Sequence, residues 1–128
     1  MLHPVTLVMI AIGGAAGAVT RYLVDGWVLD RTGAGFPFGT LAINLSGSFL
    51  IGILAALTID RAVLPAEIRG PVMIGFIGAY TTFSTLMLES WRLVEAGQDV
   101  AALANVVGSV LLGLLAVAGG LILGRAFG

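Results

Sequence analysis

Apolar positions in this chain come as long runs rather than as a period of two or a narrow helical stripe. Four runs, roughly Val5–Val24, Phe38–Thr58, Gly70–Leu88 and Val100–Gly124, are separated by the charged residues. Each is close to the ~20 residues that cross a bilayer as a helix. The pattern therefore predicts an all-α membrane protein of four transmembrane helices, at about 5–24, 38–58, 70–94 and 99–124, forming one domain over residues 1–128. The intervening stretches DGWVLDRTGAGFP, IDRAVLPAEIR and WRLVEAGQD are short and turn-rich. Pro37, Pro65 and Pro71 fall near helix starts, where a missing N–H costs little. No extramembrane domain fits in such loops. No positive residue precedes the first run, so it is expected to be a retained helix rather than a cleaved signal peptide.

Within the runs the polar residues form stripes. Thr40, Asn44, Ser48 and Gly52 recur every fourth residue on the second helix, as do Asn105, Ser109 and Gly113 on the fourth, so each set shares a face. Two uses fit that spacing: interhelical hydrogen bonds, or the lining of a hydrated path. An Asn44 amide at mid-membrane needs a partner in either case. Small residues recur too. The pairs Gly13/Gly17 and Gly120/Gly124 permit close helix packing in lipid. Because four thin helices enclose little interior, an aqueous path would need a second subunit or would run along a helix groove.

The third run is the unusual one. In GAYTTFSTLMLES, Gly75 and Gly78 weaken the helix just before Thr81, Thr82, Ser84 and Thr85. Irregular backbone at membrane depth is tolerated only where protein or a water-filled cavity satisfies it. A break near mid-span is expected here. It would free carbonyls such as those of Gly78 and Thr81 for a cation, while nearby hydroxyls could donate to an anion. Phe83 adds a ring whose edge is electropositive and can face a small anion, although a membrane Phe usually serves packing.

Composition strengthens the membrane reading: 59% of the 128 residues are hydrophobic and 10% charged. With six Arg, no Lys and seven acids, the net charge of -1 leaves no basic tract for nucleic acid. Cys is absent, which excludes disulfides and thiolate chemistry. An even number of spans puts Arg61, Arg69 and Arg125 on one side of the membrane and Arg21, Arg31 and Arg92 on the other. Because Lys/Arg asymmetry sets orientation, this balance predicts weak orientation or insertion both ways up, and hence an antiparallel pair.

Few groups suit catalysis. The single His3 is terminal and lacks companions for a metal site, and hydroxyls such as Ser84 have no general base within the spans. Enzyme activity is not expected. Arg21 either snorkels to the interface or concentrates anions at a vestibule. Glu89 is read as an interfacial charge or a partner of Arg92 at i+3, in preference to a proton-coupling group.

Taken together, GGAAGAVTRY (Gly13–Tyr22), GTLAINLSGSFLIG (Gly39–Gly52) and GFIGAYTTFSTLMLE (Gly75–Glu89) resemble the small fluoride channels called Fluc, over essentially the whole chain. The resemblance implies an antiparallel, dual-topology homodimer in the cell's inner or plasma membrane. It also implies two fluoride pathways along the interface and a broken third helix, with structural sodium held at the dimer centre by the backbone carbonyls of Gly78 and Thr81. Asn44 matches the family's pore asparagine, Phe83 the first of its pore phenylalanines, Thr40 and Ser109 its pathway hydroxyls, and Arg21 the arginine closing its first motif. Thr82 and Thr85 join the expected pathway as neighbouring hydroxyls. Departures are Leu86 in place of a second Phe, Asn105 where relatives can carry Tyr, and Gly113 where they can carry Ser. The expected function is passive, fluoride-selective efflux that protects the cell. The alternatives are a small dual-topology exporter of cationic compounds, which would need a membrane-embedded carboxylate, and a non-transporting assembly subunit.

Overall fold

A computed structural model describes residues 3–127. Among them are four helical segments long and apolar enough to cross a membrane: Pro4–Thr32, Phe38–Asp60, Ala66–Glu95 and Asp99–Ala126. The chain is a multi-pass, all-helical membrane protein.

Helix α1 (Pro4–Thr32) begins with proline at its first position and the His3 ring accepting from the Val5 amide at 3.3 Å. It runs past Val24, the expected end of the first span, to Thr32. Charges at Asp25, Asp30 and Arg31 end a hydrophobic run without ending a helix, and the added turns make their own contacts. Val28 is buried, and the Arg31 guanidinium lies 3.9 Å from the Trp27 ring centre while donating to the Trp27 carbonyl. Gly33, at φ 75, then takes the left-handed conformation that L side chains avoid.

Helix α2 (Phe38–Ala55) continues into a wide π turn, Ala56–Asp60. The π turn is tied to its surroundings through side chains. Arg69 donates to the Thr58 carbonyl at 2.7 Å, Arg61 donates twice to the Arg125 carbonyl, and the Arg125 Nε meets Asp60 Oδ2 at 2.8 Å. These three arginines thus gather at one end of the molecule, the end holding the middle loop and the C-terminus.

The third segment is composite. A 3-10 turn (Ala66–Arg69) leads into a π-helical stretch (Gly70–Ile77) and a short α3 (Gly78–Tyr80). Two extended residues follow, Thr81 (φ -79, ψ 155) and Thr82 (φ -150, ψ 113), before α4 (Phe83–Glu95). The last helix is α5 (Asp99–Ala126).

Packing follows the small residues. The stretch before the extended pair lies along α1, whereas α4 lies against α5, and α2 packs along most of α5. A Cβ on Gly17 would overlap the Phe76 carbonyl, and one on Gly120 would overlap the Phe49 carbonyl, so both glycines are needed for backbone-on-backbone contact. Large apolar side chains such as Leu23, Ile74, Leu115 and Ile122 remain exposed, as suits a surface facing lipid or another subunit.

Candidate ion pathway

An extended pair inside a membrane helix leaves backbone groups without helical partners, and each such group is costly in hydrocarbon. Side chains from the neighbouring helices meet several of them. The Asn44 amide engages both backbone groups of Thr82, its Oδ1 accepting from the Thr82 amide at 2.8 Å and its Nδ2 donating to the Thr82 carbonyl at 3.1 Å. Arg21 Nε donates to the Ala79 carbonyl at 3.2 Å. The Thr82 hydroxyl caps α4, accepting from the Thr85 amide at 3.3 Å while donating to the Thr85 hydroxyl at 3.0 Å. Thr81 turns back on the preceding turn, its amide and hydroxyl both donating to the Ile77 carbonyl at 3.0 Å. The carbonyls of Gly78 and Thr81 receive no hydrogen bond from any described residue.

Two clefts meet at Thr82. One, of about 310 Å³, is lined by Arg21, Tyr22, Asp25, Thr40 and Thr82 among others. The second is an open groove of about 430 Å³ whose polar lining comes from Asn44, Ser48, Thr81, Thr82 and Ser109. No charged residue lines that groove, and Phe83, 73% exposed on the protomer, stands along it. The Ser109 hydroxyl is buried and lacks a partner among the described residues. A third cavity, about 480 Å³, shares Asp25 with the first cleft and adds Glu89, Arg92 and the Phe36 and Phe38 rings.

Six of the seven expected pathway residues therefore line one of the two clefts at Thr82: Arg21, Thr40 and Thr82 in the first, Asn44, Thr82, Phe83 and Ser109 in the groove. Thr85 lines neither and serves the α4 cap. Arg21 is half-buried, donates through Nε to backbone and lines the first cleft. The expected Glu89–Arg92 partnership is absent among the described residues. Glu89 accepts from the Thr40 hydroxyl, and Arg92 pairs with Glu95 at 3.0 Å. Both i+3 arrangements are open to Arg92, and the exposed end of α4 lets it reach Glu95 while Glu89 turns toward α2. The polar stripes also divide. Asn105 is buried and donates to Ser90 across the α4–α5 contact at 2.9 Å, while Ser109 faces the groove. Leu86 lines the groove yet is only 6% exposed.

Four membrane-crossing helices, with uncharged polar side chains gathered around an extended stretch of backbone in the third, define a small integral membrane protein with a largely apolar groove marked by a few uncharged polar groups. The chain belongs to a known family of this kind. Its residues 8–121 match the family model described as CrcB-like protein, Camphor Resistance (CrcB). It is 48% identical over 119 residues to a protein of Hahella chejuensis named fluoride-specific ion channel FluC, covering 93% of this chain and 94% of that one. Proteins of the same name from Rhizobium meliloti (46% identical over 120 residues, 94% and 96% covered) and Geobacter metallireducens (46% over 107 residues, 84% and 86% covered) are similar to it as well.

Proposed function

We propose that this chain is a subunit of a passive fluoride-selective channel that lets fluoride leave the cell down its electrochemical gradient. What carries the reading is the conjunction of near-full-length relatives named fluoride-specific channels with an uncharged, mainly apolar groove that places a few hydrogen-bonding groups around Thr82 and Phe83. A small, strongly hydrated anion needs donors to replace its water but no fixed cation that would trap it. The groove offers the Ser109 and Ser48 hydroxyls, the second Nδ2 hydrogen of Asn44 and the Phe83 ring edge, while the Thr81 and Thr82 hydroxyls already donate to the Ile77 carbonyl and the Thr85 hydroxyl.

The groove is open along the protomer surface, so a second subunit would supply its other wall. An antiparallel homodimer of dual topology fits the balance of arginines between the two sides and gives two equivalent pathways. At its dyad the third segments would meet, forming the broken helix pair of the family. The unshared carbonyls of Gly78 and Thr81 suit a hard monovalent cation such as sodium, two oxygens from each subunit, which would neutralise converging carbonyl dipoles and help hold the dimer together. Thr81 would contribute its backbone, the hydroxyl being occupied by Ile77.

Proteoliposomes loaded with fluoride and monitored with a fluoride electrode test the reading. Rapid electrogenic efflux is expected from the parent protein, and much slower efflux from Phe83→Ile at unchanged oligomeric state. Transport of organic cations without fluoride efflux would reassign the chain as an exporter, and no transport of either would leave an assembly subunit.

A further inference from the structure

Asn44 lines the groove, but the geometry gives it a second task. A carboxamide presents one donor and one acceptor side by side, the same pattern that one residue of an extended strand offers its neighbour. Asn44 uses that pattern on a single residue, accepting from the Thr82 N–H at 2.8 Å and donating to the Thr82 C=O at 3.1 Å. In a continuous helix the Thr82 N–H would instead reach the Gly78 carbonyl, four residues back.

We infer that Asn44 is a positioning residue that holds Thr82 extended, and so keeps the Gly78 carbonyl unshared and the first turn of α4 turned to the groove. Three observations converge on it. Thr82, the N-cap of α4, has β-region angles, φ -150 and ψ 113, which take its N–H out of the helical ladder. Asn44 gives that N–H its acceptor and also donates to the Thr82 carbonyl, from α2, a helix fixed independently by its long contact with α5. Thr82 is also the one residue that lines both clefts and, through its hydroxyl, caps α4 ahead of Phe83. Releasing Thr82 would let its N–H return to Gly78, which would remove the free carbonyl and shift Phe83 together.

The inference deepens the fluoride-channel reading, but its test does not depend on transport. Residue-resolved amide exchange in detergent micelles reports the Thr82 N–H directly. In the parent protein that amide should be well protected, whereas the amide of Ser84, which finds no acceptor in the first turn of α4, should exchange readily. Asn44→Ala should speed Thr82 exchange about five- to tenfold, the factor set by losing one ordinary hydrogen bond, with α5 amides unchanged. Asn44→Asp keeps the acceptor for the N–H and should retain most of that protection. Parent Thr82 exchanging as fast as Ser84 would overturn the inference even if neither variant folded. So would an Asn44→Ala protein that loses fluoride efflux while Thr82 stays protected, because that result makes Asn44 a direct ligand only. An unprotected Thr82 in a parent protein that conducts fluoride would overturn this inference and leave the channel reading standing, whereas a protected Thr82 in a parent that conducts none would do the reverse.

Discussion

Replacing Asn105 with Leu should make the protein more stable. Asn105 is 1% exposed and makes one interhelical hydrogen bond, Nδ2 to the Ser90 hydroxyl at 2.9 Å, while its Oδ1 is buried without a partner among the described residues. Interhelical hydrogen bonds in membrane proteins average about 0.6 kcal/mol. A buried polar atom left unpaired costs roughly 1–3 kcal/mol. Leu shares the γ-branched shape of Asn, and Ser90 keeps a partner by donating to the Leu86 carbonyl at 2.7 Å. The balance favours Asn105→Leu by about 0.5–2 kcal/mol, the unpaired oxygen outweighing the bond that is lost. Titrating micelle-solubilised protein with SDS and following helicity by circular dichroism would measure it. Ser90→Ala serves as the counterpart, since it removes the partner and leaves both ends of the Asn105 amide unpaired; a loss of about 1 kcal/mol is expected. If Asn105→Leu instead weakened the protein by 1 kcal/mol or more, Oδ1 would have a partner from outside the protomer, and the reasoning would fail.

Gly120→Ala should destabilise by more than about 2 kcal/mol, because its Cβ meets backbone atoms of α2 that no rotamer change can move, whereas Gly113→Ala, whose nearest neighbour is the Ser48 hydroxyl at 3.9 Å, should be nearly silent in the same titration. Single cysteines at Gly35 and Val63, both exposed loop positions, should each label from both sides of the membrane in cells; labelling from one side only would exclude dual insertion. Thr81→Ser keeps the backbone and a hydroxyl able to reach Ile77, so sodium-dependent dimer retention on size exclusion should match the parent, and a loss there would show that the threonine methyl matters more than its carbonyl.

The four spans were legible because an uninterrupted apolar run has little alternative to a membrane helix. Their ends were less so: α1 continues through Asp25 and Asp30 to Thr32, since a helix can outlast the lipid that surrounds it. Composition also pointed to Thr81 and Thr82 as the unusual part of the third segment. Spacing could not decide what the polar stripes do, because Asn44, Asn105 and Ser109 look alike along a helix face. Their partners, Thr82, Ser90 and the open groove, come from other helices. The Thr40–Glu89 hydrogen bond lies beyond sequence reasoning for the same cause, whereas an i+3 pairing of Glu89 with Arg92 was visible and did not form.

The extended pair at Thr81 and Thr82 also changes how errors spread along the third segment. In an unbroken helix, one inserted residue turns everything beyond it by about 100° and carries every later side chain to a wrong neighbour. Here the part before the pair takes its register from α1 and the part after it from α5. Non-helical backbone between them can absorb a change of phase that a continuous ladder would transmit. The two halves are therefore free to vary almost as separate words, each answerable to its own helix, with Thr82 as the hyphen that must stay in place.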